Sequence, residues 1–173
     1  MRRSSVSPGR LRGAAVLVAA VVLAACGSDE EAAGPPVPDD SFETFEGETT
    51  SLAAYAGEPL VVNFWASWCP PCIAEMPDLE RVHQDVADEV RFIGLNTQDS
   101  LPAAEELVVE TGVTYDLGLD PDGELFRAFG VTSMPSTFFV DADGRIVHRQ
   151  AGLITEQQLR DLVDDHLLDP EAA

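Results

Sequence analysis

The chain has 173 residues, room for one domain of ordinary size and too few for two. Apolar residues make up 45% and charged residues 24%, a balance that supports a packed core and rules against wholesale disorder. Acids number 31 against ten bases, all of them Arg, for a net charge of −21, which argues against DNA, RNA or an anionic lipid surface as an electrostatic partner. Three cysteines are too few for a multi-bridge disulfide framework, so Cys26, Cys69 and Cys72 each need an explanation.

The first segment reads as an address. Arg2, Arg3, Arg10 and Arg12 stand in an acid-free head, and residues 14–25 (AAVLVAAVVLAA) are wholly apolar. That apolar stretch is well short of the roughly 20 residues a spanning helix needs, and matches a secretory signal peptide. Leu23-Ala24-Ala25-Cys26 resembles the lipobox of bacterial lipoproteins. The resemblance implies a signal peptide over 1–25, lipid on the Cys26 sulfur, and Cys26 as the first mature residue. An ordinary signal peptide cut at a small-residue site is the alternative. After Cys26, residues 27–41 (GSDEEAAGPPVPDDS) are small, acidic and rich in Pro and Gly, so 26–41 reads as a lipidated Cys and flexible acidic linker.

The folded part is expected over 42–173. Residues 42–45 and 48–51 are short strand candidates. Residues 60–66 (LVVNFWA) form a near-continuous apolar run, as in a strand buried on both faces. Residues 70–86 place Ile73, Met76, Leu79, Val82 and Val86 at helical spacing. Residues 90–96 read as a second buried strand, and 101–111 as a helix closed by Gly112. A short helix is predicted over 120–129, started by Asp120-Pro121 and ended by Gly130. Residues 137–141 and 145–150 flank an Asp143-Gly144 turn and form a hairpin. Residues 155–168 form a closing helix, with Thr155 and Gln158 spaced as a capping box. The order of elements implies a three-layer α/β domain with a mixed sheet.

The chemistry is concentrated in Asn63 to Pro77, NFWASWCPPCIAEMP. Cys69 and Cys72 follow a buried strand and open a helix. A thiol there faces free backbone N–H groups and the positive end of the helix dipole, which favours its thiolate. Cys72, one turn in, can attack a mixed disulfide formed by Cys69, so the pair can alternate between dithiol and disulfide. Pro70 suits the first turn, where its missing N–H has no partner to lose. A zinc site would need four ligands, and His83, His148 and His166 are scattered without ligand spacing. Ile73 after Cys72 rules out a CxxCH haem attachment. No metal is expected, and no cofactor beyond the redox pair.

With those residues in place, Trp65 to Cys72 (WASWCPPC) resembles the active site of the thioredoxin superfamily. The Pro-Pro dipeptide, Asn63-Phe64 and Glu75-Met76-Pro77 are closer to its TlpA/ResA-like branch of membrane-anchored, extracytoplasmic thiol–disulfide oxidoreductases. The similarity spans residues 42 to about 168. Met134-Pro135-Ser136-Thr137-Phe138 resembles the family's cis-proline loop, which lies against the Cys pair and holds substrate backbone. The resemblance therefore implies a thioredoxin-like α/β/α fold with a central mixed sheet. It implies Cys69 and Cys72 as redox residues, and Trp68, Pro70, Pro71, Met134 and Pro135 as substrate contacts. Asn63 stands where thioredoxins carry a buried Asp, so another acid is needed near Cys72. Asp99, just past the second strand, is the first candidate base, with a raised pKa expected; Glu75 is the second.

The function expected is a lipid-anchored thiol–disulfide oxidoreductase on the outer face of the cell membrane, reducing exported proteins. Family analogy points to apocytochrome c as client and to a membrane thiol carrier of the CcdA or DsbD type as electron donor. A disulfide-forming oxidase is a second reading, since direction depends on reduction potential. An AhpC/TSA-type peroxidase is disfavoured because Ala66 stands where a Thr is expected. A non-catalytic binding lipoprotein on the same scaffold would have no use for an intact Cys pair.

Overall fold

A computed structural model describes residues 34–168. The elements in chain order are β1 (Ser41–Thr44), β2 (Thr49–Ser51), a 3-10 turn (Leu52–Tyr55), β3 (Leu60–Trp65), α1 (Pro70–Val86), β4 (Arg91–Thr97), α2 (Leu101–Thr111), β5 (Asp116–Asp120), α3 (Glu124–Ala128), β6 (Ser136–Val140), β7 (Ile146–Ala151) and α4 (Glu156–Val163), which runs into a π turn over Asp164–Leu168. One seven-stranded sheet has the order β2-β1-β5-β4-β3-β6-β7. β3, β4 and β5 are parallel; β1, β6 and β7 pair antiparallel with their neighbours. The mixed sheet flanked by helices is the expected thioredoxin-like architecture.

The central strand β3 is buried along its whole length, and its alternation separates two cores. Val61 and Trp65 face the side of α1, α2 and α4, where Met76, Leu79, Val82, Leu107, Phe139, Leu159 and Val163 complete the packing. Leu60, Val62 and Phe64 face the side of α3, with Ile93, Leu95, Leu125, Phe129 and Phe138. Phe64, Phe129 and Phe138 meet edge to face at 4.8–5.9 Å. Helix α4 is held on α1 by Glu156 N donating to Asp78 and by the Arg160–Asp85 and Arg81–Glu156 pairs. The exposed ion pairs add little stability, but they fix where the residues ahead of α4 lie.

Two expectations need correction. The predicted 120–129 helix is too long and hides a strand. Asp116–Asp120 is β5, paired with both β1 and β4, and the helix begins at Glu124. Asp120 ends the strand and caps the helix at a distance: its carboxylate accepts from Leu125 N at 3.1 Å and Phe126 N at 2.9 Å across the Pro121–Gly123 turn. The strand carries Gly118 because a Cβ there would lie 2.6 Å from the Phe42 ring and 2.9 Å from Leu95. The linker expected to reach residue 41 is docked from Gly34 onward. Ile146 N donates to Pro35 O and Val37 N to Gly144 O, giving the β7 end of the sheet backbone partners. The expected signal peptide (1–25) and Cys26 lie outside the described residues. Among the described residues no helix is long and apolar enough to cross a membrane.

Candidate active site

The parallel strands β3 and β4 end on the same side of the sheet, where such folds place their ligands. From Trp65 the chain turns through Ala66, Ser67 and Trp68, and Cys69 N donates back to Ala66 O at 3.1 Å. Cys69 is the N-cap of α1: its Sγ accepts from Cys72 N at 3.4 Å, and Pro70 and Pro71 fill the first helical positions. Cys69 and Cys72 are joined by a disulfide, with Cα atoms 5.3 Å apart. Cys72 is fully enclosed, whereas Cys69 opens on a groove of about 520 Å³. Trp68, Pro70, Pro71 and Met134 line that groove with Cys69. The Met134–Pro135 peptide is cis, in the geometry that the family resemblance implied. Pro135 is buried, and its carbonyl accepts from Gly152 N at 2.9 Å.

The groove has walls that the linear sequence did not single out. Gln98 comes from the end of β4, Phe126 from α3, and Thr132 and Ser133 from the loop before the cis proline. No local signal marks Phe126, which reaches the site because α3 packs on the sheet face over Phe64, with its first turn bonded to Asp120. Every lining residue is uncharged, in a chain of net charge −21.

The two candidate acids sit in opposite environments. Asp99 was expected to titrate near neutrality. Burial raises its pKa, but hydrogen bonds from Asn96 Nδ2, Ser67 N, Ser67 Oγ and Ser100 N outweigh that effect, and the net shift is downward. A carboxylate so well solvated by donors stays ionised and is a poor proton acceptor at neutral pH. Glu75 is the group with the properties wanted. It lies one turn beyond Cys72, is 1% exposed, and has its pKa raised to about 7, chiefly by burial. Donation from Ile154 N at 3.0 Å and Asn63 Nδ2 at 2.8 Å pulls the other way, and the nearby Asp78 adds a small upward push. Asn63 also donates to Thr137 Oγ1 at 3.0 Å. The neutral residue on β3 thus orients an acid supplied by α1.

The arrangement fits a sulfur exchange: a Cys at a helix start that shows 5% of its surface in the groove, a second Cys enclosed behind it, and an acid poised near neutrality in the same helix. The comparisons with known proteins agree. The Redoxin family profile matches residues 32–164. The chain is 39% identical over 135 residues to the thiol:disulfide interchange protein HelX of Rhodobacter capsulatus, covering 76% of this chain and 75% of that one. It is 27% identical over 129 residues to the thiol-disulfide oxidoreductase ResA of Bacillus thuringiensis, covering 74% and 75%. Among solved structures, a secreted Mycobacterium tuberculosis disulfide oxidoreductase homologous to E. coli DsbE superposes with a TM-score of 0.66 at 28% identity, covering 72% of this chain and 94% of that one. Fold, Cys pair and relatives together place the chain in the Redoxin family, as a ResA-like thiol–disulfide oxidoreductase.

Proposed function

We propose that the protein is a lipid-anchored reductant of disulfides in exported proteins, with Cys69 attacking, Cys72 resolving and Glu75 moving the proton. The observation that carries the reducing direction is the set of charges around the pair. A buried acid lies one turn beyond Cys72, and no cationic side chain lines the groove. Apart from the helix dipole and the Cys72 N–H donated to Cys69 Sγ, no group lining the groove favours a thiolate. Thiols kept protonated make the dithiol the less stable form and the couple a reductant.

In the forward reaction the Cys69 thiolate attacks a client disulfide. A bond forms between Cys69 Sγ and one client sulfur, and the second client sulfur leaves as a thiolate. Cys72 then gives its proton to the Glu75 carboxylate and attacks Cys69 Sγ. The mixed disulfide breaks, the first client sulfur leaves, and the two client thiolates take up one proton from Glu75 and one from water, which had received the proton of Cys69. The enzyme holds the disulfide and has lost two electrons. Trp68, Pro70, Pro71 and Met134 form the walls against which an extended client segment lies, and the loop at Pro135 meets its backbone. The substrates best matched are exported proteins with paired cysteines, apocytochrome c among them. A membrane thiol carrier of the CcdA or DsbD type would restore the dithiol. Lipid on Cys26 would keep the domain at the outer face of the membrane.

The reduced protein is expected to reduce a peptide carrying a disulfide-bonded Cys-x-x-Cys-His segment nearly stoichiometrically, read by alkylation and mass. Failure with that peptide but success with insulin would remove the apocytochrome client and leave the activity. Mass spectrometry of the mature N-terminus is expected to find a lipid-modified Cys26; an unmodified Cys26 or a cut elsewhere would refute the anchor.

A further inference from the structure

Among the described residues, Gln98 is the single non-glycine residue with a positive φ, +50°. A side chain in the left-handed region is held there by its surroundings, and such positions concentrate at functional sites. Here the surroundings are explicit. Gln98 N donates to Asp120 O at 3.1 Å, and the Gln98 side chain lies over Gly123, where a Cβ would come within 3.1 Å of it. So placed, the Gln98 carbonyl accepts the indole N–H of Trp68 at 3.0 Å. The next residue, Asp99, takes both the backbone N–H and the hydroxyl of Ser67, and is itself steadied by Asn96 Nδ2 at 2.9 Å. Two consecutive residues at the end of β4 therefore grip the two consecutive residues that precede Cys69.

We propose that the Gln98–Asp99 turn is a positioning clamp for client binding, which fixes Trp68 as a rigid wall of the groove beside Cys69. Trp68 is 56% exposed and stands on a turn, so packing alone does not fix its rotamer. A ring that must be immobilised when a client binds costs affinity, and one already immobilised does not. The clamp acts on the binding of polypeptide clients and has no contact with the sulfur atoms. A reagent as small as dithiothreitol reaches Cys69 without lying along the Trp68 wall. The inference deepens the proposal that this groove is the client site, and rests on it.

The test compares two reactions of the whole protein: reduction of a disulfide-bearing peptide by the dithiol form, and reduction of the disulfide form by dithiothreitol. Asp99→Ala is expected to raise the peptide KM several-fold, up to about tenfold, with kcat changed less. The ratio of the peptide constant to the dithiothreitol constant falls accordingly. Ser67→Ala, which keeps the Asp99 bonds to Asn96 and Ser100, gives a smaller change in the same direction and serves if Asp99→Ala does not fold. Trp68→Ala raises the peptide KM, and adding Asp99→Ala to it brings no further rise. If the peptide and dithiothreitol constants fall together, if only the latter falls, or if neither moves, the clamp is refuted. If Trp68→Ala leaves the peptide KM unchanged, the groove itself is not the client site; a Trp68 effect without an Asp99 or Ser67 effect refutes the clamp alone.

Discussion

Cys69→Ser is expected to abolish turnover and to capture no client, whereas Cys72→Ser also loses turnover but accumulates mixed disulfides through Cys69. The asymmetry follows from access. Cys69 opens on the groove and Cys72 is fully enclosed one turn deeper. Only the outer sulfur can meet a client, and only the inner one can release it. The covalent species are read on non-reducing gels and by mass after acid quenching. Both variants are expected to fold, because the disulfide closes a short loop and restricts the unfolded chain little. A reversed trapping pattern would exchange the two roles.

The second large effect is expected from Glu75→Gln, about 10²-fold on the resolving step. Cys72 must lose a proton within a dry interior, and in the proposed mechanism its acceptor is the Glu75 carboxylate, one turn along the same helix, with a pKa raised to about 7. In the wild type that step should gain speed as pH rises through 7 and then level off; in the variant the inflection should disappear. A rate profile that is superimposable in the two proteins would remove Glu75 from the mechanism. The same group gives a stability signature. Its folded pKa stands above the ordinary 4.5, so the folded state holds the proton at pH values where the unfolded chain has released it. Glu75 therefore costs nothing below pH 4.5, and stability falls as pH climbs from 4.5 to 7, by about 3 kcal/mol in total. Glu75→Gln should flatten that decline in denaturant titrations at stepped pH. Its baseline should be lower, since an amide can accept from Ile154 N or Asn63 Nδ2 but presents its own N–H groups to the other.

Much of this site was legible in the sequence, and the parts that were share one property: they are local. The first helix starts at Pro70 and ends at Val86 as its apolar spacing requires, and Gly112 ends α2 in the left-handed region with φ +69°. Thr155 and Gln158 form the capping box that their spacing implied. The Cys pair opens its helix because strand, turn and Pro-Pro are adjacent in the chain. What escaped depends on partners far away. β5 alternates acids, Gly and Leu without a continuous apolar run, and is a strand because β1 and β4 supply its ladders. The preference for Asp99 over Glu75 rested on position along the fold and not on the count of donors. Of the four hydrogen bonds that hold Asp99 ionised, the two from Ser67 come from another element, and the burial that lifts Glu75 exists only in the folded core. Phe126 and the Gln98 carbonyl belong to the same class, side wall and clamp supplied from other elements.

The reducing direction can be measured on the couple itself. Equilibrating the protein in dithiothreitol buffers of known ratio, and reading the reduced fraction of Cys69 and Cys72 by alkylation mass shift, gives its reduction potential. A pair flanked by a buried acid and no cation should lie near or below the potential of thioredoxin, about −270 mV. A potential near that of DsbA, about −120 mV, would contradict the account and make the protein a disulfide-forming oxidant.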